Sequence, residues 1–352
     1  MQCLECRGAD RRWNEFVRTT SAGTFFHLLE WRDLVARHFG YQPFYLYVEE
    51  KGEISAVLPL FLANSLLFGR NLISIPVGIY GGVVSRKEEA TKLLLRRAQE
   101  LAHECRASHL EIRGNPYGQN DSVYEDGNGE FRFKRMDHHV TFIREIDSKE
   151  ENNFARIPRK QRRMIRQAQK HGLRSFVDDS RLLDCFQIYA ESLRNLGTPV
   201  YSYKYFQDLK KTFGDHCRIL RVEYQSKIIA GVLSFFYKDQ VLPYYGGALK
   251  QYFHLAPNDF MYWELMSYGG AKGYRTFDFG RSKRDTGSFD FKRHWGFDPL
   301  PLPYLYYAVN GQAVPDSSSL NSKLQWAIKL WRRLPLRLTM AFGPHIAPHL
   351  PW

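Results

Sequence analysis

Apolar residues recur at helical spacing over Phe25–His38, and the run closes at Phe39-Gly40, so this stretch predicts an amphipathic helix. Alternation then takes over at Phe44–Glu49 and Ile54–Leu62, two strands joined by a Lys51-Gly52 turn. A further run ends in Tyr80-Gly81-Gly82, a helix is predicted over Lys87–Glu104, and a strand at His109–Arg113 stops at Gly114. The same order then returns. Helices are predicted at Leu182–Leu196 and Tyr203–Thr212, the second closing at Phe213-Gly214. Strands Arg218–Tyr224 and Ile228–Tyr237 flank a Gln225-Ser226 turn, and the next strand ends in Tyr245-Gly246-Gly247. A helix over about Asn258–Lys272 leads to a strand, Tyr274–Phe279, that stops at Gly280. Gly82 and Gly114 lie 32 positions apart, Gly247 and Gly280 33. That shared register predicts a duplicated α/β (α+β) unit, each copy an antiparallel meander, a helix and a further strand, with mixed, mostly antiparallel sheets. The order differs from repeated βαβ. Neither G-x-G-x-x-G after a strand nor G-x-x-x-x-G-K-[ST] occurs, which argues against nicotinamide chemistry and nucleotide hydrolysis.

Between the halves, Gly114–Gly129 reads as a loop and His138–Ile146 as a strand. Pro158 and Gly172 then bracket a helix. Arg159, Arg162, Arg163, Arg166 and Lys170 share one of its faces, with no acidic residue between Arg156 and Lys170. Like charges at i,i+4 destabilise a helix, so this face is expected to meet an anion; a merely solvated face is the alternative. The chain divides on this reading into a first module at 1–150, a second at 151–310 and a basic tail at 311–352. In the tail, a Ser-rich linker at Asp316–Asn321 precedes a helix-like run, Leu324–Leu338, which Pro335 kinks or ends. Trp326, Leu330, Trp331 and Leu334 there stand against Lys323, Lys329, Arg332, Arg333 and Arg337. Two readings stay open: peripheral contact with a membrane through 323–338, or a helix packed back with its cations in water.

The net charge of +13 predicts an anionic partner: nucleic acid, a phosphorylated substrate or an anionic membrane face. No run of 18 apolar residues is present and the first residues lack a signal-peptide core, so the expected location is cytoplasmic, at most peripheral on the cytoplasmic membrane face. The five cysteines are scattered, and Cys3-x-x-Cys6 has no second pair at metal spacing, so free thiols and no metal are expected.

Candidate chemistry gathers in residues 273–304. Strand, Gly280, then Arg281, Lys283, Arg284 and, after Phe289-Asp290-Phe291, Lys292, Arg293 and His294 present cations on a loop after a strand. Asp278 points to the same place, either toward a ligand or toward Arg281 to tie down the turn. Tyr244-Tyr245-Gly246-Gly247 ends a central strand, where glycines allow close approach. Tyr245 and Asp278 are therefore candidate acid–base groups, and Arg281, Lys283 and Lys292, with Tyr244, Gly246 and Gly247, a candidate substrate cradle to which Arg159 and Arg163 add charge. Core packing is the competing account of each tyrosine. No G-x-S-x-G or H-E-x-x-H occurs.

The runs LGTPVYSYKYFQDLKKTFGD, VLPYYGG, NDFMYWELM and FDFGRSKRDTGSFDFKRHWGFDPLPLPY resemble the FemAB-like proteins of the PEP-CTERM/exosortase group, over most of the chain and most strongly from Ile157 to Tyr304. The resemblance implies two tandem GNAT-type acyltransferase modules and acyl or aminoacyl transfer to an amine or hydroxyl of an anionic cell-surface polysaccharide or peptidoglycan-type precursor. It implies an acyl-CoA or aminoacyl-tRNA donor, no tightly bound cofactor, and a lipid-linked or glycan precursor as partner, with tRNA a further candidate. The chain lacks the long coiled-coil arm of some Fem enzymes and a Q/R-x-x-G-x-G/A pyrophosphate loop, so the donor stays open. A non-catalytic GNAT-like module binding a phosphorylated glycan or nucleic acid is the alternative.

Overall fold

The computed structural model describes residues 1–65, 69–118, 131–311 and 325–350. From the N-terminus come β1 (Gln2–Glu5), α1 (Arg11–Thr19) and α2 (Leu29–Phe39). The Asp10 side chain caps α1 by accepting from the Arg12 amide, and α2 ends at Gly40 in the left-handed region (φ 68). The helix expected from Phe25 starts later, because Phe25–His27 forms one tight turn and Leu28 is extended. Strands β2 (Gln42–Glu50), β3 (Glu53–Ser65), β4 (Gly69–Ile73) and β5 (Val84–Ser85) follow, then α3 (Glu88–Glu104), β6 (His109–Arg113) and β7 (Lys134–Met136). Next are β8 (His139–Thr141), β9 (Ile143–Glu145), α4 (Glu150–Arg156), α5 (Arg159–Lys170) and β10 (Arg174–Val177). They lead into α6 (Leu182–Leu196), α7 (Tyr203–Phe213), β11 (Cys217–Tyr224), β12 (Lys227–Tyr237), β13 (Gln240–Ala248) and α8 (Pro257–Ala271). The last elements are β14 (Thr276–Asp278), β15 (Ser282–Lys283), α9 (Gly287–His294), β16 (Leu300–Pro301), β17 (Tyr304–Ala308), helix α10 at 325–331 and α11 (Leu336–Ile346).

The chain forms two compact units, one of residues 1–140, 300–316 and 348–352, the other of 141–299 and 317–347. These limits differ from boundaries at 150 and 310, because β17 returns to the first unit and pairs with β6 there. The first sheet runs β1-β2-β3-β4-β6-β17-β7, with β5 on β3; the second runs β10-β11-β12-β13-β14-β9. In each, four antiparallel strands lead through a helix to one strand parallel to the fourth, and that strand takes an antiparallel neighbour. The duplication read from the sequence is thus present as repeated topology. In the first unit, Leu94, Leu95, Ala98 and Leu101 of α3 bury against Leu46, Val48, Leu58 and Leu60 of β2 and β3. In the second, a Cβ on Gly247 would meet Ser192 of α6, and one on Gly246 would approach Met261 of α8. Adjacent strand residues point to opposite faces, so α6 and α8 cover the two sides of this sheet.

Several expected elements differ. Tyr80-Gly81-Gly82 ends no strand: residues 74–82 wrap around the buried Arg113, whose Nη1 donates to the carbonyls of Ile75, Pro76 and Gly78 at 3.0, 3.0 and 2.8 Å. The expected strand His138–Ile146 splits at Phe142 into β8 and β9. Tyr274–Phe279 contributes only Thr276–Asp278 as a strand, and Phe289–Phe291 lies in α9 rather than in a loop. The run Leu324–Leu338 breaks before Pro335, which caps the start of α11. The Gly114–Gly129 loop and the Asp316–Asn321 linker lie mostly outside the described residues.

Candidate active site

Strand β13 runs parallel to β14 for only two residue pairs, Gln240–Thr276 and Val241–Phe277. Beyond them the strands part. Pro243 has no amide hydrogen to offer, and the β12–β13 register shifts beside it so that Tyr244 is the extra residue of a bulge. β14 meanwhile follows β9, and the Phe279 amide donates to Phe142 O at 2.9 Å. Residues 243–248 of β13 therefore leave one edge without a strand partner inside the second unit's sheet. The first unit has no counterpart: β4 stops at Ile73, the last residue of its own parallel pairing.

The loop beyond β14 closes over an aromatic floor of Tyr262, Phe279, Phe291, Trp295 and Phe297. Asp278 is 1% exposed, and its Oδ1 accepts from the Gly280 amide at 2.7 Å and Thr141 Oγ1 at 3.3 Å. It ties the turn. Lys292, from α9, reaches under the same turn, where its Nζ donates to Gly280 O at 2.9 Å and Arg281 O at 3.0 Å. Burial pulls its pKa from 10.5 down to about 7; the Asp278 charge opposes that shift and Arg281 adds to it. A neutral amine has two hydrogens and one lone pair. Lys292 can therefore keep both carbonyl bonds when it loses a proton, and the lone pair is then the atom that takes one up. Arg281, on the turn, and Lys283, in β15, are partly exposed.

Tyr245 lies apart from this group. It is 6% exposed, its hydroxyl shares a 2.9 Å hydrogen bond with Tyr205, and burial lifts its pKa well above the usual phenol value. Tyr189, Tyr201 and Phe206 ring it, so it belongs to the core between β13 and helices α6 and α7. Tyr244 is half-buried against Phe235. Gly247 is needed for the close approach of α6, whereas Gly246 meets only side-chain atoms, at 3.2 Å and beyond. On α5, Gln161, Ile165 and Ala168 face inward, leaving Arg159, Arg163, Arg166 and Lys170 as an exposed stripe with no carboxylate within ion-pairing distance among the described residues. Arg162 is turned further in and is half-buried. The structure thus unites Asp278, Arg281 and Lys292, and places Tyr245 in the core.

Asp259, which the sequence reading passed over, sits in the first turn of α8, accepts from Trp295 Nε1 at 3.2 Å, and is raised by burial to about 6 despite the nearby Lys160. The available signal was its place in NDFMYWELM, a carboxylate in the first turn of a helix followed at once by Phe260 and Met261. Among the described residues no group of three or more His, Cys, Asp or Glu could hold a metal, and no helix is long and apolar enough to cross a membrane.

Comparison with known proteins bears on this arrangement. Residues 156–293 match the family described as Acetyltransferase (GNAT) domain, a span that includes the bulged strand, Asp278 and Lys292. A search of curated protein sequences finds no match. Among solved structures, FemX superposes with a TM-score of 0.69 at 16% identity, over 92% of this chain and 100% of that one. A tandem GNAT protein from the clavulanic acid biosynthesis pathway gives 0.55 at 12%, over 89% and 99%. The C-terminal domain of a putative lysylphosphatidylglycerol synthetase from Agrobacterium fabrum gives 0.56 at 14%, over 91% and 95%. The chain thus has a GNAT-type acyltransferase fold, similar over most of its length to FemX and to a tandem GNAT protein.

Proposed function

We propose that the second unit transfers an acyl or aminoacyl group to an amine of an anionic cell-envelope precursor, with Lys292 as the proton acceptor. The observation that carries this reading is the Lys292 amine, fixed by two carbonyls and brought to a pKa of about 7. The acceptor amine attacks the acyl carbon and a C–N bond forms. Its surplus proton passes to the Lys292 lone pair and on to the departing thiolate of an acyl-CoA or the ribose oxygen of an aminoacyl-tRNA, as the bond to the donor breaks. The open edge of β13 offers N–H and C=O groups to an extended donor arm, in the manner of strand addition. The match of 156–293 to an acetyltransferase domain supports the reaction class. Arg281, Lys283 and the α5 stripe of Arg159 and Arg163 supply the positive field for a phosphorylated acceptor. A polysaccharide precursor linked to the exosortase system remains the acceptor implied by the sequence resemblance.

The test supplies acyl-CoA and aminoacyl-tRNA donors with nucleotide- and polyprenyl-linked glycan acceptors, and follows product by mass spectrometry. Lys292→Met and Lys292→Arg should both lose about 10²–10⁴-fold in turnover, because methionine has no basic group and arginine keeps the charge but stays protonated and accepts no proton. Substantial rescue by arginine would reduce Lys292 to a point charge. Tight glycan binding without turnover of any donor would favour a binding module.

A further inference from the structure

Helix α11 fully buries only small residues, Thr339 and Gly343 at one helical spacing, followed by Ala347, with Leu336 and Met340 half-buried beside them. Gly343 lies against the backbone of Val200, where a Cβ would come within 2.8 Å of the carbonyl oxygen. The bulky apolar residues at the same spacing, Leu338, Phe342 and Ile346, face outward with 43%, 55% and 38% exposure. Helix α10 turns Ile328 and Trp331 partly inward but leaves Trp326 69% and Leu330 54% exposed. It rests on the end of α6, where Gly197, at φ +84, leaves room for Ile328, and Arg332 donates to Leu196 O at 3.0 Å. An aqueous helix normally buries its large side chains, so an outward row of them, as at Leu338, Phe342 and Ile346, marks a surface that meets something apolar.

The charge beside it says what. From residue 317 to the C-terminus there is no Asp or Glu, while Lys329, Arg332, Arg333 and Arg337 alternate with the apolar residues. None of the four pairs with a carboxylate among the described residues. A second copy of this surface would set these cations against their own kind. An anionic bilayer would take the apolar side chains into its acyl boundary and meet the cations with its phosphates. We propose that α10 and α11 form an interfacial anchor that seats the second unit on an anionic lipid surface without crossing it. The proposal deepens the reading of a lipid-linked acceptor by placing the protein where such an acceptor resides, yet its test needs no donor, acceptor or turnover.

The full chain is floated with phosphatidylcholine vesicles that contain or lack phosphatidylglycerol, at rising salt, and Trp emission is recorded alongside. Binding is expected only with the anionic lipid, weakening with salt, together with a blue shift that Trp326→Phe diminishes. Arg333→Gln with Arg337→Gln should weaken binding by about five-fold per charge removed. Leu338→Ser with Phe342→Ser should abolish it while the far-ultraviolet circular dichroism and Tm stay at parental values, since both side chains are exposed. No flotation at low salt overturns the proposal. So does equal binding to neutral vesicles, or a concentration-dependent dimer, seen by light scattering without lipid, that Phe342→Ser dissociates.

Discussion

At the scale of single residues, the chemistry of this chain turns on where burial puts charge. Asp278 and Lys292 sit on either side of one turn, yet they serve differently: the carboxylate holds the Gly280 amide, and the amine, between two carbonyls, is left titrating near neutrality. Lys292 acts as a base only when neutral, so activity should rise with pH through about 7 and then level off. Asp278 raises that pKa, so Asp278→Asn, whose amide oxygen can still accept from Gly280, should move the inflection to lower pH. A pH–rate profile of both proteins checks this, and an unmoved inflection would separate Asp278 from Lys292. The stability consequence has a definite sign. The folded pKa lies below the unfolded one, so the unfolded chain holds the proton more tightly, and stability gains with pH between about 7 and 10.5 while the contribution is flat below about 7. Lys292→Met should therefore stabilise the fold most in acid solution, as urea titrations at several pH values would report.

At the scale of elements, β13 carries two glycines with different duties. Gly247 is pressed against α6: an alanine Cβ would lie 2.5 Å from Ser192 Oγ, which both accepts from Ala248 N and donates to Ala248 O at 3.2 Å. Gly247→Ala should lower stability by about 1–3 kcal/mol through overpacking. Gly246→Ala meets Val232 Cγ2 at 3.2 Å and should leave Tm near the parental value. Thermal melts of the two proteins distinguish these duties, and equal melting temperatures would refute the assignment. The same paired glycines in the first unit, Gly81 and Gly82, lie in a loop organised by Arg113, so the repeated letters do not mean a repeated site. Matching sequence punctuation thus located the duplication, whereas the expectation of a cleft in the second copy came from the cations after Gly280 and not from the paired glycines.

At the scale of the whole molecule, the first unit is assembled from distant parts of the chain. β17 pairs with β6 from Tyr304–Arg113 to Ala308–His109, and with β7 on its other side. A chain ending at residue 299 would leave β7 without its partner, give β6 a free edge opposite β4, and remove Leu305 and Val309 from the cluster that buries Leu110 and Ile112. Limited proteolysis of that shortened protein should cut within 1–140 at protease levels that leave the full chain intact. Equal resistance would show that β17 is dispensable. A linear division at 150 and 310 follows from reading the chain in order, and order cannot reveal that a late strand completes an early sheet.

Local pattern was enough for what depends on neighbours in sequence: the helices and meanders, the tandem repeat of α/β modules, the cationic face of α5, and the turn after β14 as a place where charge collects. Alternation and helical spacing are properties of short segments, and two copies of one order are visible without coordinates. Tertiary structure alone decided which of those charges are open and which are enclosed, because burial depends on segments far away in the chain. It drew Asp278 and Tyr245 into packing, gave Lys292 a displaced pKa, parted β13 from β14, and turned Leu338, Phe342 and Ile346 of α11 outward.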